Sequence, residues 1–169
     1  MSLTDSAGEV ARLFERAESL WQNYVEGART AIREWERLRP LLYERISVLK
    51  AMIRVNLEEV RELSLKVELG LVSEAKAKRR LEVLGAETPA LVKELGELWI
   101  LLEELTEMTI LHSRRMGVPA EVREEDIEAK ARELEECFHG SVIDKETYEK
   151  LREIIARQLA ALKSLPPHG

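Results

Sequence analysis

Residues 10–63 read VARLFERAESLWQNYVEGARTAIREWERLRPLLYERISVLKAMIRVNLEEVREL, and the apolar residues in this stretch return every seven positions. Val10, Ala17, Tyr24, Ala31 and Leu38 form one row, and Phe14, Trp21, Ala28 and Trp35 form the next. Seven residues make close to two helical turns, so rows at this spacing keep one face of a helix apolar and mark a packing seam. The second row continues past Pro40 as Leu42, Leu49, Asn56 and Leu63, flanked by Ile46, Ile53, Val60 and Val67. The rest of the chain is rich in Leu, Glu, Arg and Ala without β-branched alternation, and the whole reads as all-α.

Pro40 is the decisive ambiguity. It cannot donate to residue 36 and drives Arg39 away from the α region, so it either kinks one very long helix or turns the chain back. Two amphipathic arms of matched length would bury each other. That favours a long antiparallel helical hairpin, coiled-coil-like, over residues 1–70. The first helix is expected to open at a capping box from Ser6 to Glu9.

Beyond Gly70, Ser73 is expected to cap a short helix closed by Gly85, and Thr88-Pro89 to restart a helix that runs to about Arg115. The core face of that helix is Leu91, Leu95, Leu98, Leu102 and Leu105. Around Leu98-Trp99-Ile100-Leu101-Leu102 the apolar character goes nearly all round, which predicts the most buried helix of the chain. A fifth helix from about Ala120 to Phe138 carries the stripe Ile127, Ala131, Leu134, Phe138. A sixth, capped by Asp144 and ended by Pro166-Pro167, carries Tyr148, Leu151, Ile155 and Leu162. Residues 71–169 thus read as a smaller helical bundle packed on the hairpin: short helices, a central apolar helix and a C-terminal helical hairpin.

Two stretches echo one another, Gly70-Leu71-Val72-Ser73-Glu74 and Gly140-Ser141-Val142-Ile143-Asp144-Lys145, with spacing that differs by one residue. Each reads helix, glycine, apolar pair, cap, helix. The pair resembles the helix-turn-helix hairpins of short bacterial and archaeal oligomerisation modules, although common turn chemistry produces the same pattern.

Composition narrows the function classes. The chain has 169 residues, 34% charged, 45% hydrophobic and only 5% aromatic, a foldable and soluble balance. One cysteine, Cys137, excludes an internal disulfide framework, and three histidines (His112, His139, His168) leave little for a Cys/His metal site. No stretch approaches the ~18 apolar residues of a membrane span and the first residues lack a signal pattern, so a cytoplasmic location is expected. Residues 1–85 carry 15 basic against 14 acidic side chains and residues 86–169 carry 11 against 18, so the halves are +1 and −7. An acidic half repels phosphate backbones. Arginine outnumbers lysine, 17 to 9, and glutamine and asparagine number two each, a composition in keeping with a thermophilic source.

The residues that most chemistry needs are sparse. Glu136 and His139 share a helix face at i, i+3 as in di-iron bundles, but no second such motif exists, and His139 sits where an imidazolium favours the helix dipole anyway. Cys137 is surrounded by Glu133, Glu135 and Glu136, which raise a thiol pKa rather than lower it. Glu103, Glu104 and Glu107, and the run Glu124-Glu125-Asp126, read as solvated faces. No catalytic residue, cofactor site or metal site is assigned.

The reading is therefore a non-enzymatic helical scaffold or interaction protein, expected as a homodimer or bound to a partner through a helix face. Its expected interface residues are Phe14, Trp21, Tyr24, Trp35, Leu42, Leu49 and Trp99, aromatic and apolar groups that a thin hairpin buries poorly alone. The alternative is a nucleic-acid-associated subunit that uses Lys76, Lys78, Arg79, Arg80, Arg114 and Arg115 on an anion. Asn56 lies in an apolar row, where it either fixes register by demanding a polar partner or turns to solvent.

Overall fold

The computed structural model describes residues 2–164, and among these all regular structure is helical: α1 (Leu3–Glu68), α2 (Glu74–Arg115), α3 (Glu124–His139) and α4 (Lys145–Lys163). The all-α class is as expected. Pro166, Pro167 and His168 lie outside the described residues. The chain divides into two compact units, Met1–Leu38 and Arg39–Gly169.

The reversal expected at Pro40 does not occur there. α1 continues through the proline. The missing N–H and the ring's clash with the preceding turn cost about 3 kcal/mol, but a reversal needs residues that can turn, and 37–43 contain no Gly, Asn, Asp or Ser. The hairpin forms one element later. Gly70 takes a left-handed φ of 71°, Leu71 N–H reaches back to the Lys66 carbonyl at 2.9 Å, and Ser73 Oγ accepts from Lys76 N–H at 3.3 Å to start α2. Cross-links run in opposite order along the two helices: Arg45 to Glu94, Asn56 to Thr88, Glu59 to Arg80. The long antiparallel pair is therefore the second half of α1 against α2.

α2 also overrides two expected breaks. Gly85 does not end a helix and Thr88-Pro89 does not restart one; Pro89 lies inside α2. The Thr88 hydroxyl, read as a cap, instead accepts from the Asn56 side-chain amide at 3.2 Å, while Leu84 and Leu95 on either side are buried and hold the helix. Asn56 is itself buried, so its polar partner in the seam is Thr88 of the same chain. The capping box also moves: Ser2 Oγ accepts from Asp5 N–H and the Asp5 carboxylate accepts from Ser2 N–H, four residues upstream of Ser6.

α3 and α4 make the expected C-terminal hairpin, with Asp144 accepting from Thr147 N–H at 2.8 Å. Phe138 and Tyr148 stack across it with centroids 4.2 Å apart, and Lys163 meets Glu124 at its open end. α4 runs parallel to α2, as the pairs Thr147 with Gly96 and Arg157 with Glu107 require. At Gly96 the approach is so close that an added Cβ would lie 2.7 Å from Thr147 Oγ1. α2 supplies ten of the buried residues, but its apolar girdle is not buried all round: Trp99 and Leu102 are buried, whereas Leu101 is 48% exposed. Leu49, Ile53, Leu95, Ile110, Leu134 and Leu151 close the core of this unit.

The echo between the two turns has a structural basis. At the second turn the left-handed residue is Ser141, φ 62°, and not Gly140, whose φ is −83°. Val142 N–H bonds to the Cys137 carbonyl at 2.9 Å as Leu71 does to Lys66. Aligned on the left-handed residue, both turns read helix, left-handed residue, apolar pair, cap, and the one-residue mismatch disappears.

Candidate interaction surface

In the N-terminal unit, α1 turns one face of large apolar side chains to solvent. Phe14 is 72% exposed, Leu13 66%, Leu20 58%, Val10 50% and Trp21 43%. They fall at i, i+3, i+4, i+10 and i+11 of one helix, so they share a single stripe and are not scattered singly. Trp21 stacks on Tyr24 with centroids 5.5 Å apart, and Tyr24 is half-buried. Single chains seldom expose a contiguous apolar patch of this kind.

The seven expected interface residues separate in two groups. Phe14, Trp21 and Tyr24 lie on the stripe. Leu49 and Trp99 are buried in the core of the second unit, Trp35 is 7% exposed, and Leu42 is half-buried. The sequence reading missed Leu13 and Leu20. Their signal is a third seven-spaced row, which resumes in the second unit as Leu41, Val48 and Val55 and is exposed there too.

The basic residues do not form one patch. Lys76, Lys78, Arg79 and Arg80 stand in the first turns of α2, and Arg114 and Arg115 end it, about 55 Å away at ~1.5 Å per residue. Arg80 is engaged by the Glu59 carboxylate through two bonds of 2.8 Å. Arg114 donates to the carbonyls of Ala161, at 2.7 Å, and Leu162, where a guanidinium satisfies the exposed C-terminal carbonyls of α4. Lys78 borders a shallow groove with Ser64, Val67, Ala77 and Leu81.

The polar chemistry of the second unit is internal. Glu103, read as part of a solvated face, is wholly buried, and its Oε1 meets Lys130 Nζ at 3.0 Å. Lys130 donates also to Gln158 Oε1 at 2.9 Å, and Gln158 Nε2 donates to the Glu103 carbonyl at 2.8 Å. Among the described residues Glu103 Oε2 has no hydrogen-bond partner. Burial pushes the Glu103 carboxyl above the ordinary glutamate range, and the Lys130 ammonium beside it restrains that rise. This network ties α2, α3 and α4 together.

A neighbouring cluster joins α1 to the same helices. Lys50 Nζ lies 4.0 Å from the Trp99 ring centroid and 2.5 Å from Glu133 Oε1, so one ammonium serves a cation–π contact and an ion pair. Arg54 Nη2 stands 3.6 Å from Cys137 Sγ. Cys137 is completely buried, and burial pushes its thiol up, away from the thiolate a nucleophile needs. His139 Nε2 lies 3.6 Å from Glu135, the residue one turn before it. Among the described residues no group of three or more His, Cys, Asp and Glu side chains converges as metal ligands do, and no helix is long and apolar enough to cross a membrane.

Three comparisons bear on relatives. No family model matches the chain, and no curated protein or solved structure matches it. The surface is accordingly interpreted from its own chemistry.

Proposed function

We propose that this chain is a non-enzymatic helical assembly protein that associates with itself through the exposed apolar stripe of its N-terminal unit. One observation carries the reading: Val10, Leu13, Phe14, Leu20 and Trp21 are all large, apolar and exposed on a single helix face. Helices in proteins draw most of their stability from packing such a face, and an unpacked one seeks a partner. Together these side chains offer on the order of 500 Å² of apolar surface per copy, about 1,000 Å² for a pair, which is the scale a specific interface needs.

The test is mass in solution. The wild-type chain is expected at twice the 19.4 kDa of one copy. Phe14→Glu with Trp21→Glu is expected at the single mass with its helical signal otherwise retained. Val48→Glu with Val55→Glu, where the Leu13 and Leu20 row resumes in the second unit, is expected to leave the doubled mass unchanged. A wild-type chain that stays at the single mass at high concentration overturns the proposal.

A further inference from the structure

The stripe has two rows whose side-chain volumes alternate. One row is Ala7, Phe14 and Trp21, and the other is Val10, Ala17 and Tyr24. Pairing of such a seam depends on what each layer meets. In a parallel pair in register every residue meets itself, so Trp21 faces Trp21, Phe14 faces Phe14, and Ala7 and Ala17 each face alanine. Such layers are alternately overfilled and void, and both faults are destabilising.

An antiparallel pair turned about a point between Glu15 and Arg16 removes both faults. Ala7 then faces Tyr24 of the second copy, Val10 faces its Trp21 and Phe14 faces its Ala17, so in each layer the bulkier ring meets a smaller side chain. On the flank, Leu13 meets Leu20 of the second copy, and both are exposed in the single chain. The opposite flank sets Glu18 against Ala11, so no like charges meet. Moving the register by seven residues either way puts Phe14 against Tyr24 or Ala7 against Ala17, and the complementarity is lost.

We infer that the partner of this face is a second copy of the chain, bound antiparallel over residues 7–24 with Leu13 packed on Leu20 of that copy. The inference rests on the proposed self-association and adds its direction and register. All the residues it uses belong to the N-terminal unit.

The experiment is disulfide trapping with three single variants, Leu13→Cys, Leu20→Cys and Ala7→Cys, in the otherwise native chain, whose Cys137 is buried. Disulfide formation needs the two β-carbons within about 4.5 Å, so it reports register sharply. Under mild oxidation, an equimolar mixture of the Leu13→Cys and Leu20→Cys chains is expected to yield about tenfold more disulfide-linked dimer than either chain yields alone. The Ala7→Cys chain alone is expected to stay unlinked. Self-linkage of Ala7→Cys signals a parallel pair and overturns the inference, while the self-association stands. A doubled mass without the mixed disulfide also overturns the inference alone. A single mass with no disulfide overturns both.

Discussion

Replacing Lys130 by methionine removes the nearest counter-charge of a buried carboxylate. Glu103 is wholly buried, its Oε1 depends on Lys130 at 3.0 Å, and its Oε2 already lacks a hydrogen-bond partner among the described residues. Breaking a buried ion pair from one side costs about 3–5 kcal/mol, because the remaining charge is left uncompensated. The loss also strands Gln158 Oε1, worth about 1 kcal/mol. We therefore expect Lys130→Met to destabilise the chain by about 4 kcal/mol near pH 7, measured by urea unfolding followed by far-UV circular dichroism at fixed protein concentration.

The pH dependence of that deficit is a second reading of the same cause. Burial raises the folded-state pKa of Glu103 above its unfolded value, so the folded chain holds this proton more tightly. The glutamate thus favours folding on the acid side, and that contribution is lost as pH rises from the ordinary glutamate range through the raised folded value. Without Lys130 the folded value rises further. The deficit of Lys130→Met against wild type is therefore smaller near pH 5 than near pH 7. Glu103→Leu combined with Lys130→Met removes both charges and is expected to return to within about 2 kcal/mol of wild type. A single variant within about 1 kcal/mol of wild type, or a double variant as damaged as the single, refutes the reasoning.

Other outcomes follow from single positions. Ser141 holds a left-handed φ of 62° that glycine adopts without strain, so Ser141→Gly is expected to raise the unfolding free energy by about 0.5–1 kcal/mol, read by the same denaturation. Gly96→Ala places a Cβ 2.7 Å from Thr147 Oγ1 and is expected to destabilise by about 1–3 kcal/mol, whereas Gly85→Ala meets nothing within 4 Å and is expected to stabilise by about 0.5–1 kcal/mol; equal effects would dismiss the close approach of α2 and α4. Cys137 is expected to resist a thiol reagent in the native chain and to react on unfolding, and rapid native reaction contradicts its burial.

How far the sequence carried the fold depended on whether the signal was local. Ser73 and Asp144 announce α2 and α4 because a side-chain oxygen and an amide three residues on suffice to cap a helix. The apolar girdle around Trp99 announces the buried pair Trp99 and Leu102, but not that Leu101 turns to solvent. Pro40 and Pro89 mislead because a proline's local cost is set against packing along the whole helix, which lies elsewhere in the chain. Thr88 looks like a cap until Asn56, thirty-two residues away, claims its hydroxyl. Glu103 looks solvated beside Glu104 and Glu107 until Lys130 and Gln158 arrive from α3 and α4. Ser141 is hidden because Gly140 beside it is the residue that composition nominates for a left-handed turn. At the candidate site Phe14 and Trp21 were legible from their spacing, while Leu13 and Leu20 became visible only when exposure separated the rows that pack inside the chain from those that do not.

Sedimentation equilibrium of the whole chain over a wide range of concentrations decides whether the N-terminal stripe mediates self-association. The mass is expected to rise with concentration to twice 19.4 kDa, and Phe14→Glu with Trp21→Glu to flatten the curve to the single mass. A wild-type chain that holds the single mass throughout, or a double variant that associates as strongly as wild type, contradicts self-association through the stripe.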